Sequence, residues 1–161
     1  MTTHDRIDAR EQDFDVASEY DWLTADNTED GAVVHFVGRM RGRNDGHTVH
    51  CMTLEHYPAM TRKALAELVT EARAHWSLGR VGLIHRVGSL FPGDQIVWVG
   101  VTSPHRADAF AACEYLMDAL KTRAPFWKKE SRPDGDHCVE ARHSDAQRTA
   151  RWTQPIKDAE E

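Results

Sequence analysis

Residues 95–120, QIVWVGVTSPHRADAFAACEYLMDAL, change period in the middle. From Gln95 to Thr102 the chain is a short run of β-branched and aromatic residues, which reads as a strand. From about Arg106 to Lys121, Ala109, Ala112, Cys113, Leu116, Met117 and Leu120 recur at helical spacing and form an apolar stripe. Ser103-Pro104-His105-Arg106 joins the two. A strand running straight into an amphipathic helix is the signature of a mixed domain, and the flanking sequence repeats it.

Upstream, Val81 to Val87 reads as another strand, joined to Gln95 through the turn-rich segment GSLFPGD at 88–94. Before it, Pro58 opens a helix, where a missing N–H is harmless. Leu65, Leu68, Val69, Ala72 and Trp76 carry its apolar face and Gly79 ends it. Gly31–Met40 and Thr48–His56 read as two earlier strands, with Gly42, Asn44, Asp45 and Gly46 marking the loop between them. Downstream, Pro125 stops the second helix. Phe126–Ser131 and His137–Ala141 predict a hairpin around RPDGD, and Ser144 caps a last short helix ending near Trp152. The order β-β-α-β-β-α-β-β predicts one α+β domain over residues 14–152, with a mixed, largely antiparallel sheet and two main helices. The polar segments 1–13 and 153–161 read as flexible tails.

Composition narrows the function. The chain has 161 residues, enough for one well-packed core. The apolar run Ile96–Val101 is far too short to span a bilayer, and the polar start lacks a signal core. Three scattered cysteines, Cys51, Cys113 and Cys138, with no C-x-x-C, fit a reducing cytosol. A net charge of −6 argues against a nucleic-acid binder. Basic residues nonetheless cluster at Arg39, Arg41 and Arg43 and again from Lys121 to Lys129, as in an acidic protein that holds a small anion.

Three segments are candidates for chemistry. In Lys121-Thr-Arg-Ala-Pro-Phe-Trp-Lys128-Lys129-Glu130, two lysines flank a stiff aromatic turn. A lysine desolvated beside another cation becomes a better base or nucleophile. The plainer reading is a basic helix C-terminus that complements the macrodipole. His105 and Arg106 stand where a strand ends and a helix begins, a natural anion site, although both also read as an exposed cap. In Gly38-Arg39-Met40-Arg41-Gly42-Arg43, three alternating arginines project to one side if the strand continues, which suits a phosphate, a partner's acidic surface or a carboxylate terminus, or else guards a strand edge. The ten histidines include no H-x-H or H-x-x-x-H pair, so a protein-bound metal is not expected; His35, His50, His56 and His85 read as strand-face histidines, one or two of them buried and hydrogen-bonded.

Taken together, six segments resemble the large-subunit family of molybdopterin synthase (MoaE type). They are Asp30-Gly-Ala-Val-Val, Leu54-Glu-His-Tyr-Pro-Ala-Met-Thr, Leu78-Gly-Arg-Val-Gly-Leu-Ile-His-Arg-Val-Gly, Pro92-Gly-Asp, Val99-Gly-Val-Thr-Ser-Pro-His-Arg and Leu120-Lys-Thr-Arg-Ala-Pro-Phe-Trp-Lys-Lys-Glu. The resemblance implies an α/β hammerhead-type domain and a homodimeric core. Each copy would bind a ubiquitin-like small subunit ending in a Gly-Gly thiocarboxylate, giving a heterotetramer. The implied reaction is sulfur transfer to cyclic pyranopterin monophosphate, in the cytoplasm, with no metal or organic cofactor. Lys121 and Lys128 match the family's catalytic lysines. Arg39, Met40, Arg41, His105, Arg106, Lys129, Glu130 and Arg142 match substrate-binding positions, with Arg142 reaching a neighbouring copy. The rival readings are a non-catalytic adaptor for a ubiquitin-like tail, a sulfurtransferase acting on another small phosphate ester, and a nucleic-acid-binding module.

Overall fold

The computed structural model describes residues 4–132, 135–139, 148, 150 and 152. The elements, in chain order, are β1 (Asp5–Arg10), α1 (Val16–Thr24), β2 (Ala32–Arg39), β3 (Arg43–Asn44), β4 (His47–Thr48), β5 (Cys51–His56), α2 (Pro58–His75), β6 (Val81–Arg86), β7 (Gly88–Leu90), β8 (Gln95–Ser103), α3 (Arg106–Arg123), β9 (Phe126–Arg132) and β10 (Gly135–Val139). They form a first sheet in the order β1-β6-β8-β2, a second in the order β10-β9-β5-β7, and a small β3-β4 ribbon. Among the described residues, only the β1–β6 pair is parallel.

β8 organises the first sheet. It is buried continuously from Val97 to Ser103, so both of its faces need cover. Val97, Val99 and Val101 face one way, with Leu83 and Val81 opposite Val99 and Val101 on β6. Leu65, Leu68, Val69 and Ala72 of α2 and Ala112, Leu116, Ala119 and Leu120 of α3 close over them as the main core. Trp98 faces the other way and is fully buried with Ile84, Phe14 and Leu23, the last from α1. Space for this indole comes from two glycines. Gly82 lies opposite Gly100 in the ladder, and a Cβ at either would come within 2.3 or 2.4 Å of the ring.

The second sheet packs Met52, Leu54 and Leu90 with Met40, Val49 and Val87 into a smaller core. Ile96 touches both cores and joins them.

Several sequence expectations need correction. The segment expected as a flexible tail at 1–13 contains β1, which pairs with β6 from Asp5↔Val81 to Arg10↔Arg86. Its polarity misled because its charges are paired: Arg6 meets the buried Glu19 at 3.1 Å, and Asp5 pairs with Arg73. Ile7 and Ala9 meanwhile pack on the main core. α1 was not anticipated; Asp15 caps it by accepting from the Ala17 N–H at 3.3 Å. The turn-rich segment after Val87 holds β7, which pairs with β5. α2 ends at His75, before Gly79. The anticipated hairpin forms, with Gly135 rather than His137 starting its second strand. The helix expected after Ser144 and the tail 153–161 lie outside the described residues, apart from Arg148, Ala150 and Trp152.

α2 and α3 are tied by a charged contact. Glu71 of α2 accepts from Arg123 at 2.8 Å and from the Tyr115 hydroxyl at 2.6 Å. The Arg123 hydrogen bond is the main cause that holds the Glu71 carboxyl down at about 2, and Tyr115 adds to it.

Two outcomes are expected. Gly82→Ala or Gly100→Ala forces the Trp98 ring to move and should lower stability by about 1–3 kcal/mol in urea unfolding, as overpacking does; an unchanged midpoint would remove the glycine–indole contact as a constraint. The Glu71 contribution is present above its unfolded pKa and lost as pH falls toward about 2. Glu71→Gln should therefore flatten the decline of stability with acid over that window, whereas parallel curves for the two proteins would dismiss the pair as its source.

Candidate active site

A pocket of about 250 Å³ opens where the C-terminal end of α3 crosses the first sheet. Met117, Leu120 and Lys121 of α3 form one wall, Phe36 to Arg39 of β2 another, and His85, Ile96 and Val97 the floor. Local sequence explains each wall. Pro125 halts α3 just after Lys121, placing a cation in its last turn. Arg123, two residues on, is committed to Glu71. β2 shifts register between Gly38 and Arg39, an irregularity of the kind that re-aims a side chain.

Arg39 is held at the rim. Its Nε and Nη2 donate to the Gly93 carbonyl at 3.3 and 3.2 Å. Gly93 adopts φ +92°, a conformation that favours glycine. Its N–H donates to the Met40 carbonyl at 2.9 Å, and the Met40 N–H donates to the Asp94 carbonyl at 2.8 Å. The Met40 side chain is buried in the smaller core, and its backbone supports the Arg39 turn. Arg41 is exposed beyond the end of β2, and the strand does not continue to Arg43, so the three arginines do not form one row.

His85 was read from the sequence as an ordinary strand-face histidine, yet it forms the pocket floor. Its ring stacks on Phe126 with centroids 4.1 Å apart. Nδ1 lies 2.8 Å from the Arg86 carbonyl, so Nδ1 carries the hydrogen and Nε2 is left as an acceptor. Burial, with smaller effects from the Lys121 and His56 charges, pushes its pKa down to about 4. The ring is neutral at pH 7. The available signal was alternation: His85 stands two residues after Leu83, on the core-facing side of β6.

β9 brings the second lysine. Phe126 pairs with His56 and Lys128 with Leu54, so Phe126 and Lys128 occupy the same face of the second sheet. Because Phe126 stacks on His85, that face adjoins the pocket. Lys128 is partly buried. In the ladder Lys129 pairs with Thr53 and Glu130 with Met52. Trp127 is 48% exposed and packs edge-on against Tyr57 at 5.0 Å, so Phe126 is the aromatic residue that turns toward the pocket floor.

His105 and Arg106 do not join this pocket within one chain. They stand exposed at the start of α3, with His105 as the N-cap residue. Helix rise puts Arg106 about 22 Å from Lys121. Arg142 lies outside the described residues. Cys113 is buried, and burial pushes its thiol up to about 12, which makes it a poor sulfur nucleophile. No group of three metal-ligating side chains occurs among the described residues, and no helix there is long and apolar enough to cross a membrane.

Comparison with known proteins identifies the family. A family model described as MoaE protein matches residues 9–123. The molybdopterin synthase catalytic subunit of Escherichia coli K12 is 61% identical over 141 residues, covering 88% of this chain and 93% of the relative. The molybdopterin biosynthesis MoaE protein from Burkholderia ambifaria superposes with a TM-score of 0.78 at 48% identity, covering 91% of this chain and 97% of that one. Molybdopterin synthase from Staphylococcus aureus gives a TM-score of 0.75 at 32% identity, covering 86% and 98%. The match spans most of the sequence and nearly the full length of its relatives, and the chain belongs to the MoaE family.

Proposed function

We infer that this chain is a sulfurtransferase, the catalytic subunit that builds the dithiolene of molybdopterin. Its sulfur donor is the thiocarboxylated Gly-Gly terminus of a ubiquitin-like small subunit. Its acceptor is cyclic pyranopterin monophosphate. The supporting observation is the pocket that sets Lys121 and Arg39 on facing walls above an apolar floor. A narrow, partly apolar cleft suits an extended Gly-Gly tail, and fixed cations suit a thiocarboxylate and a phosphate.

In this reading Lys121 holds and orients the thiocarboxylate. Acyl–sulfur cleavage passes through a tetrahedral species bearing negative charge, which Lys121 and Arg39 stabilise better than water does. Lys128 assists proton transfer from the neighbouring sheet. Lys129, Glu130 and Arg41 act around the substrate. The reaction takes place in the cytoplasm.

The position of His105 and Arg106 bears on assembly. A pair about 22 Å from Lys121 along one helix cannot grip the same small substrate within one copy. It can do so when two copies pair with their helix ends crossed, and Arg142 then serves from the second copy as well. A homodimeric core with two small subunits, a heterotetramer, follows from this arrangement.

Single-turnover conversion of cyclic pyranopterin monophosphate by the protein with a thiocarboxylated small subunit tests the reaction. Lys121→Ala should lose about 100-fold or more in rate, the scale of losing a charge-stabilising donor. Full turnover by that variant would overturn its assignment, and a folded wild type that binds the small subunit but yields no product would overturn the reaction. Mixing tests assembly: Lys121→Ala and Arg106→Ala dimers, exchanged together, should recover about a quarter of wild-type turnover, because one site in each mixed dimer is intact. No recovery would place both residues in a site made by one copy.

A further inference from the structure

The pocket is rich in donors and poor in acceptors. Among the side chains that line it, charged Arg39 and Lys121 can only donate, and the others apart from His85 are hydrocarbon or, in Met117, a weakly accepting thioether. His85 supplies the strong acceptor. Its ring is fixed twice, by the stack on Phe126 at 4.1 Å and by the Nδ1 donation to the Arg86 carbonyl at 2.8 Å. Nδ1 holds the hydrogen of the neutral ring, which leaves a lone pair on Nε2. Nε2 enters no hydrogen bond among the described residues, yet Glu19 Oε2 is the one side-chain nitrogen or oxygen there that is both buried and unpartnered. Nε2 is therefore reached from outside, and the cavity is the space that His85 lines. Burial keeps the ring neutral at pH 7, so the lone pair stays available.

We propose that His85 is a binding residue for the donor tail, its Nε2 accepting a hydrogen bond from the backbone N–H of the terminal glycine while the cationic rim takes the anionic end. This role rests on the reading of the reaction given above. A Gly-Gly terminus has no polar side chain, so it can be recognised only by its anionic end and its amides. The anion only accepts. The amide N–H only donates, and shut in an apolar cleft without a partner it would weaken the complex as a lost hydrogen bond does. An extended residue spans only about 3.3 Å, so the terminal N–H and the anion must be met by neighbouring groups. His85 and Lys121 are such neighbours: they line one cavity, and the Lys121 charge acts on the imidazole. A neutral imidazole suits the task better than a carboxylate, which would also accept from the amide but would repel the anion beside it.

Replacing the terminal glycine of the small subunit by glycolate turns its N–H into an ester oxygen and leaves the enzyme untouched. The probe is the full-length small subunit with an ordinary carboxylate end, in amide or ester form. The readout is its Kd for the protein, which needs no turnover. Wild type should bind the ester form about tenfold more weakly, the scale of an acceptor left unpaired in a closed site. The side chain of His85→Asn matches Nδ1 and keeps the donation to Arg86 but offers no acceptor at the Nε2 position. That variant should bind the amide form about tenfold more weakly than wild type does, and the two forms within about twofold of each other. His85→Gln, whose side chain reaches the Nε2 position, should recover both the affinity and the preference for the amide. General loosening of the pocket would weaken both forms alike and leave no coupling. The same ester penalty in wild type and His85→Asn, or none in wild type, would overturn the role of His85. So would unchanged small-subunit affinity in His85→Asn with a raised KM for cyclic pyranopterin monophosphate, which would give Nε2 to that substrate. A small subunit lacking its two glycines separates the two readings. If truncation weakens binding but the cycle is additive, only the role of His85 falls. If truncated and full-length forms bind equally, the tail has no place in this pocket, and the reading of the reaction falls with the inference.

Discussion

β8 is buried on both faces along most of its length, and that requirement shapes the molecule. A sheet whose central strand has no solvent side must be roofed twice. α2 and α3 roof the valine face; α1, arriving early in the chain, roofs the Trp98 face. The opposed glycines on β6 and β8 are what make the second roof possible, since a buried indole needs floor space that ordinary side chains would occupy.

The pocket is a by-product of this roofing. α3 ends at Arg123, just before Pro125, and β2 changes register beside the pocket that α3 lines. The uncovered corner is walled by apolar residues and rimmed by Lys121 and Arg39. The chain then turns back into the second sheet and brings Phe126 and Lys128 alongside. Lys121 and Arg39 are exposed at the rim and Lys128 is half-buried, so the pocket offers its cations at a solvent-facing edge. His85 can sit among them only because its environment keeps it uncharged.

Much of this could be read from sequence, and the failures have physical causes. The period change at Ser103-Pro104-His105-Arg106 located β8 and α3, because long periodic segments carry a strong signal. Lys121, Lys128 and Arg39 were found through motif resemblance and charge. β1 was missed because composition cannot distinguish a charge destined for a partner such as Glu19 or Arg73 from one left in water. α1 was missed because its nine residues bury little beyond Leu23. The three arginines read as one row only if the strand continues, and β2 stops at Arg39 just after its register shift. His85 was passed over because a histidine on a core face is ordinarily structural, and its proximity to Lys121 depends on the packing of α3 across β6. The distance between His105–Arg106 and Lys121 was implicit in the helix length, but it gained meaning only once the pocket was located.

That helix length has a consequence for which changes the lineage can accept. α3 is a rigid spacer of 18 residues with the proposed site residues near both ends. A single inserted or deleted residue within it would turn everything downstream by about 100° and shift it by about 1.5 Å. Lys121 would swing off the pocket wall, and Arg123 would lose Glu71. The loops on either side can absorb length changes that the helix cannot. An insertion in α3 thus disturbs both ends at once, whereas a substitution on its exposed face disturbs neither.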